Sequence, residues 1–223
     1  MKIEIIEEVV ELTNVTSGFN GRPLFRGLFL RVSKGELVVI EGATGSGKTT
    51  LVRLLLGAQP VQTGIVRVLG TDLARSSSRA VTELRRRIGV VFQHPRFLDQ
   101  ETALANVCVP LEISGGAGEK VRAAATRALM DAGLSPNARK LPGQLSGGEQ
   151  ARLQIARALI HRPQLVLADE PFAHLDPESA AAAEDLLRIA HERGTTIILT
   201  THRPTALVER ARKLRLEDGV LKA

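Results

Sequence analysis

The stretch that decides the fold is Gly42-Ala43-Thr44-Gly45-Ser46-Gly47-Lys48-Thr49, which follows the apolar run Leu37-Val38-Val39-Ile40 and precedes a helix-like segment. A G-x-x-x-x-G-K-[ST] spacing between a buried strand and a helix predicts a phosphate-binding loop. Its glycines let backbone N–H groups turn toward phosphate oxygens, and the helix N-terminus adds a positive dipole end. Lys48 can reach the β and γ phosphates, and the Thr49 hydroxyl can bind Mg²⁺. These eight residues, together with Thr50, are the predicted nucleotide site.

A second apolar strand, Leu165-Val166-Leu167-Ala168, ends in the two acids Asp169 and Glu170. Buried strands rarely end this way for packing alone. Asp169 can hold Mg²⁺ through water beside the phosphate loop, and Glu170 can orient and polarise an attacking water. The two elements together predict nucleotide hydrolysis.

The rest of the chain reads as an α/β pattern with a mostly parallel sheet. Strands are expected at 3–12, 24–32, 37–40, 65–69, 88–92, 165–168 and 195–200, followed by a final hairpin turned by Asp218-Gly219. Helices are expected at 49–56, 119–131 and 177–193, with another beginning near Gly148. The stretch 102–160 is mainly helical, which predicts an inserted helical lobe.

The composition excludes several classes of protein. Of the 223 residues, 43% are hydrophobic and 24% charged, which is typical of a globular chain and not of a disordered one. The longest apolar run, about 103 to 113, is too short to cross a bilayer. The acidic N-terminus predicts no export signal, and the lone Cys108 excludes an internal disulfide and makes a reducing cytoplasm the default compartment. The net charge of +6 suits work near phosphates, but six Phe without Trp or Tyr argue against a stacking platform for single-stranded nucleic acid.

A third motif, Leu145-Ser146-Gly147-Gly148-Glu149-Gln150, precedes a helical stretch. Ser146, Gly147 and the N-terminal amides of that helix form a second anion site, which the chain's own phosphate loop does not need. The motif resembles the signature of the ABC ATPases. The resemblance implies a RecA-like P-loop NTPase core (1–93 and 162–223) with an antiparallel β edge and an α-helical subdomain (94–161), all in one domain.

In that family the signature, including Gly148, completes the nucleotide pocket of a partner subunit. The resemblance therefore implies an ATP-dependent, head-to-tail homodimer that binds ATP and Mg²⁺. Gln93 is similar to the family's glutamine that senses Mg²⁺ and the attacking water, and His202 to its γ-phosphate switch histidine. Asp176 resembles the aspartate that links the two sites, and Phe19 lies where an aromatic side chain often stacks on adenine.

The resemblance covers about residues 4 to 220. The stretch 84–93, with Phe97-Leu98-Asp99 and 106–111, is most similar to the FtsE family of bacterial cell-division ATPases. This implies an ATPase docked to an integral, FtsX-like membrane partner on the cytoplasmic face of the cell membrane, with no nucleic acid as partner. The LolD and MacB families of lipoprotein-release and export ATPases share much of the pattern and remain alternatives.

Two further alternatives belong to other classes of protein. A soluble ATP-driven clamp on DNA or ribosomes usually carries two cassettes or a long coiled coil, and this chain has neither. A nucleotide-binding switch without turnover is disfavoured because Lys48, Asp169, Glu170 and His202 are all present.

Overall fold

Two β-sheets and six α-helices make up the part of the chain that the computed structural model describes, residues 7–19, 22–203 and 205–222. The strands are β1 Glu8–Phe19, β2 Arg22–Ser33, β3 Leu37–Glu41, β4 Thr63–Val68, β5 Thr71–Asp72, β6 Ile88–Val91, β7 Leu165–Asp169, β8 Thr196–Thr201, β9 Arg212–Glu217 and β10 Val220–Lys222. The helices are α1 Lys48–Leu55, α2 Ser78–Arg85, α3 Ala103–Ile113, α4 Glu119–Asp131, α5 Gly147–Leu159 and α6 Pro177–Glu192.

The six-stranded sheet has the order β10-β9-β3-β8-β7-β6 and is parallel except for the terminal β9–β10 hairpin. The four-stranded sheet, β2-β1-β4-β5, is antiparallel. A mostly parallel core sheet with an antiparallel β edge was the fold class expected from the sequence, and it is confirmed.

The central strands are almost continuously apolar because both faces of the parallel sheet are covered. Alternate residues point to opposite faces: Leu165 and Leu167 of β7 pack with α1 and the antiparallel sheet, whereas Val166 and Ala168 pack toward α5 and α6. Helix α1 therefore lies between the two sheets, with Leu51, Leu54 and Leu55 buried on that inner face. This packing holds the first turn of α1 at the edge of the parallel sheet.

Helices α3, α4 and α5 share a third apolar core, which includes Val107, Leu129 and Leu153. They confirm the expected helical stretch after β6. Helix α5 also contributes to the core under the parallel sheet through Ile155 and Ala158. One helix thus belongs to both the helical cluster and the sheet. Within the described ranges, no helix combines the length and low polarity that crossing a bilayer requires.

Most expected strands are found with bounds that differ by one or two residues, and the first strand differs by more. The first was expected over 3–12, but β1 continues to Phe19 through register shifts after Leu12, and residues 3–6 lie outside the described residues. The strand expected at 65–69 begins at Thr63 and ends at Val68, because Leu69 has a φ of 46° and is not extended, although its N–H still donates to the Val9 carbonyl oxygen at 2.8 Å. The basic run Arg85-Arg86-Arg87 is exposed and spans the end of α2.

Candidate nucleotide site

Three neighbouring parallel strands end at the same edge of the sheet. In the register of the ladder, Glu41 of β3 pairs with Thr201 of β8, and Asp169 of β7 pairs with Thr200 of β8. The segments that follow these strands carry the phosphate loop, Glu170 and His202. Ligands of open α/β sheets bind at such carboxyl ends.

The phosphate loop wraps around the ammonium group of Lys48. Lys48 Nζ donates to the carbonyl oxygens of Gly42 at 2.7 Å and Ala43 at 3.0 Å. Gly42 has no room for a side chain, since a Cβ would lie 2.6 Å from Ser46 Oγ and 2.8 Å from the Leu216 carbonyl oxygen. The loop therefore closes tightly and aims the first turn of α1, with its unpaired N–H groups, into the site.

Glu170 is the centre of the polar contacts. Its Oε1 lies 3.1 Å from Lys48 Nζ, and its Oε2 lies 2.8 Å from His202 Nδ1. The side chains of Lys48 and Glu170 are only 6% and 7% exposed. Glu170 has a φ of 48°, an unusual backbone for a non-glycine residue and one found most often at functional sites. The arrangement holds a carboxylate in place beside the loop that would hold the γ-phosphate.

Asp169 is fixed by a residue that sequence reasoning missed. The Thr200 hydroxyl donates to Asp169 Oδ1 at 2.7 Å, and both residues are buried. The backbone of Glu170 is also bonded to β8, since Glu170 N donates to the Thr200 carbonyl oxygen at 3.0 Å. Thr200 thus orients one carboxylate and anchors the backbone of the other.

The donor set fits a phosphate chain and Mg²⁺. Among the described residues Ser46 Oγ is buried without a hydrogen-bond partner, so it is available to a ligand oxygen. Thr49 is in the first turn of α1, and carboxylate and hydroxyl oxygens are the ligands Mg²⁺ prefers. Residues 43 to 45 of the loop are exposed, which leaves the site open to solvent on one side.

The predicted signature motif forms the start of α5. Ser146 caps the helix by accepting a hydrogen bond from Glu149 N at 3.3 Å, and Glu149 Oε2 accepts one from Ser146 N at 2.7 Å. This second bond is the main reason that the pKa of Glu149 is lowered. Ser146 and Gly147 are exposed, whereas Gly148 is buried against Ser179 of α6. Within the described residues, no hydrogen bond or ion pair joins this motif to Lys48, Glu170 or His202.

Asp176 is the N-cap of α6. Its Oδ1 accepts a hydrogen bond from Ser179 N at 3.0 Å. Hydrogen bonds from Ser179 lower the pKa of this exposed carboxyl. The signature motif at the start of α5 lies beside the start of α6. A Cβ on Gly148 would come within 2.7 Å of both side-chain atoms of Ser179.

Gln93 follows β6 and is half-buried. The residue before it, Phe92, exchanges two hydrogen bonds of 2.9 Å with the side chain of Gln154 in α5. Sequence reasoning missed Gln154. The signal was present: Ala151, Gln154, Ile155 and Ala158 have helical spacing on the face of α5 that packs inward, and a buried amide on such a face needs a partner.

Phe19 lies at the end of β1 with a side chain that is 48% exposed. Together with Arg22, Pro23 and Leu24 it lines a surface cavity. Leu24 connects that cavity to the phosphate loop, since a Cβ on Gly47 would lie 3.0 Å from Leu24 Cδ2. The cavity is therefore adjacent to the loop, as a site for a nucleotide base would be.

A family model and two curated relatives all match this chain over most of its length. The family model described as ABC transporter matches residues 25–173. The cell division ATP-binding protein FtsE of Mycobacterium tuberculosis is 40% identical over 196 residues, 87% of this chain and 85% of that protein. The lipoprotein-releasing system ATP-binding protein LolD of Porphyromonas gingivalis is 36% identical over 218 residues, 96% of this chain and 98% of that protein.

A solved structure has the same fold over nearly the whole chain. It is the dimeric, post-hydrolysis state of the ATP-binding cassette MJ0796 bound to ADP and Pi. The TM-score is 0.85 at 33% sequence identity, and the match covers 96% of this chain and 97% of that one.

Proposed function

Since this chain belongs to the ABC transporter family, it is an ATPase that uses ATP and Mg²⁺, and we propose that it is the ATP-hydrolysing subunit of a complex with a separate integral membrane protein. The observation that carries the proposal is the Lys48–Glu170–His202 cluster at the ends of three parallel strands.

In the proposed reaction Lys48 binds the β and γ phosphates, exchanging its carbonyl contacts for phosphate oxygens, and residues 42 to 50 hold the phosphate chain. Glu170 orients the attacking water and accepts its proton. His202 bonds the γ-phosphate and keeps Glu170 in place. Phe19 stacks on adenine beside the cavity that it lines.

Thr49, Asp169 and Gln93 are the proposed residues around Mg²⁺. The bound ion neutralises charge on the phosphate oxygens. Asp169 is held in position by Thr200, so its carboxylate does not need to reorient when the metal binds. Gln93 lies in the segment that joins β6 to the helical cluster, so coordination of Mg²⁺ by its amide would link the bound nucleotide to those helices.

The exposed start of α5 supports a site shared between two copies of the chain. Ser146, Gly147 and Gly148 present a helix N-terminus and a hydroxyl that the chain's own phosphate loop does not use. In a head-to-tail homodimer these groups bind the γ-phosphate held by the partner, and Asp176 connects the two sites. Binding of ATP between the copies then closes the dimer.

We assign the core to residues 1–93 and 162–223, and the helical subdomain to residues 94–161. This division is supported by the separate apolar core that α3, α4 and α5 share. Closure of the dimer moves the helical subdomain, and that motion is passed to a membrane partner bound near Gln93 and residues 95–99.

The specific role we propose is that of FtsE: the chain works on the cytoplasmic face of the cell membrane with an FtsX-like partner and controls cell-wall hydrolysis during division. The similarity to FtsE over 87% of the chain supports it. A second candidate is the ATPase of a lipoprotein-release or export system, supported by the similarity to LolD over 96% of the chain.

The experiment is co-purification from detergent-solubilised membranes of the native host, using tagged wild type and the Arg96→Glu variant. We expect wild type to carry a membrane protein of the FtsX type, and Arg96→Glu to lose it while binding ATP normally. Recovery of a lipoprotein-release permease supports the second candidate. Recovery of nucleic acid or ribosomes without any membrane protein would contradict both candidates and support a soluble ATP-driven clamp.

A further inference from the structure

The side chain of Gln154 holds the residue that immediately precedes Gln93. Phe92 N donates to Gln154 Oε1, and Gln154 Nε2 donates to the Phe92 carbonyl oxygen, both at 2.9 Å. Gln154 is 2% exposed. Two hydrogen bonds to one residue fix both the position and the direction of the backbone as it leaves the sheet.

The two hydrogen bonds pair backbone groups of Phe92 that lie beyond the end of the β6–β7 ladder. Strand β6 ends at Val91, so the N–H and carbonyl groups of Phe92 have no strand partner. Gln154 supplies both a donor and an acceptor at that point, while its neighbours Leu153 and Ile155 are fully buried apolar residues. A buried amide costs free energy unless it is paired, and here both of its ends are paired with the same backbone.

Helix α5 also contacts the segment after Phe92 at a second point. The guanidinium of Arg157, one turn after Gln154, lies 5.0 Å from the centroid of the Phe97 ring. Burial lowers the pKa of Arg157. The segment 93–96 is thus bounded on both sides by contacts with α5, the helix whose first turn carries Ser146.

Beyond Phe97 the chain is fixed by α3. Asn106 accepts from Leu98 N at 2.8 Å and donates to the carbonyl oxygens of Leu98, Glu101 and Thr102. The connection between β6 and α3 is therefore attached to the helical cluster along its length.

We infer that Gln154 is a positioning residue for ATP hydrolysis: it acts through the backbone of Phe92 to set where Gln93 lies, and makes Gln93 move with the signature helix α5. The inference rests on the proposed role of Gln93. A movement of α5 on dimer closure then reaches Gln93 through the two hydrogen bonds between Gln154 and Phe92.

The test is steady-state ATPase kinetics of Gln154→Met, which keeps the side-chain length and loses both hydrogen bonds. We expect kcat to fall about tenfold, the usual size of an effect of a residue that orients a metal ligand. KM for ATP should stay within about twofold because the phosphate loop is untouched, and the half-saturating Mg²⁺ concentration should rise. Gln154→Leu also loses both hydrogen bonds and should give the same fall in kcat.

A double-mutant cycle separates positioning from general destabilisation. In a Gln93→Ala background, Gln154→Met should change kcat less than about twofold, because there is no glutamine left to position. The matched control is Gln164→Met, which removes hydrogen bonds to Arg87 at the opposite end of β7 and should leave kcat unchanged.

Wild-type kcat in Gln154→Met, or the same loss in both backgrounds, would overturn the inference. If Gln154→Met does not fold, wild-type kcat in a folded Gln154→Leu variant would do so. Wild-type kcat in Gln93→Ala would instead contradict the proposed role of Gln93. The two failures are therefore distinguishable.

Discussion

The carboxylate of Glu170 is held to His202 by two contacts, Oε2 to the ring Nδ1 at 2.8 Å and Oε2 to the backbone nitrogen at 3.2 Å. The second contact does not depend on the imidazole, so the backbone after β8 positions the carboxylate even when the ring moves. His202 is partly exposed whereas Glu170 is buried. In the proposed reaction the ring can therefore turn toward a γ-phosphate while the base stays in place.

Replacing Lys48 by Ala should abolish ATP binding, because the β and γ phosphates lose their main cation. It should also destabilise the protein by about 3 kcal/mol, since the buried Glu170 carboxylate loses its lysine partner at Oε1 and keeps only its contacts with His202 at Oε2. Isothermal titration and urea unfolding measure the two effects. Lys34→Ala is the matched control: its pair with Glu7 is exposed, so we expect a loss below about 1 kcal/mol and normal ATP binding. Near-normal affinity in Lys48→Ala would contradict the assignment of the loop.

Replacing Thr200 by Val should weaken the use of Mg²⁺. The change keeps the side-chain shape and removes the hydroxyl that orients Asp169. We expect the Mg²⁺ concentration for half-maximal ATPase activity to rise about tenfold. Thr196→Val is the control on the same strand: its hydroxyl accepts from Gly35 N at the opposite end of β8. If both variants show the same Mg²⁺ dependence, Thr200 does not position Asp169 for Mg²⁺ binding.

Replacing Ser146 by Ala tests the second anion site. The change should cost about 1 kcal/mol through the lost helix cap and should also reduce ATPase activity and ATP-dependent dimerisation. Ser77 caps α2 in the same way, its Oγ accepting a 3.3 Å hydrogen bond from Ala80 N, so Ser77→Ala should cost similar stability and leave ATPase activity and dimerisation unchanged. If the two variants behave alike in ATPase assays, Ser146 has only its capping role.

Acid should destabilise the protein through His161. Burial lowers the pKa of this half-buried imidazole below its usual 6.5. Between those two pKa values the unfolded chain takes up a proton that the folded state does not, so the stabilising contribution present above about pH 6.5 is lost as the pH falls. Calorimetry should show a smaller drop in Tm from about pH 7 to 5.5 in His161→Gln than in wild type. His94→Gln, at an exposed position, should keep the wild-type slope; an unchanged slope in His161→Gln would contradict the prediction.

The fold class and the core of the site could be predicted from the sequence because both depend on local patterns. The phosphate loop joins a strand to a helix within a few residues, and Asp169 and Glu170 end an apolar run. Parallel strands then bring these ends together with His202, which lies far away in the sequence.

What sequence reasoning missed depends on contacts between distant segments. Thr200 looks like one more β-branched strand residue until β8 pairs with β7. The helical spacing marks Gln154 as an inward-facing residue, but its partner, the backbone of Phe92, is 62 residues away and cannot be identified from that spacing. The length of β1 was underestimated because Asn14, with a φ of 49°, interrupts the alternation without ending the strand.

The most direct test of the account is the mass of Glu170→Gln in solution with ATP and Mg²⁺. The change keeps the size of the side chain but removes the base, so ATP should bind and remain unhydrolysed between two copies of the chain. Size-exclusion chromatography with light scattering should give twice the 24.0 kDa chain mass with ATP and a single chain without it. Glu170→Gln combined with Lys48→Ala should stay monomeric in both conditions. A Glu170→Gln variant that remains monomeric with saturating ATP, or that hydrolyses ATP at the wild-type rate, would contradict the account.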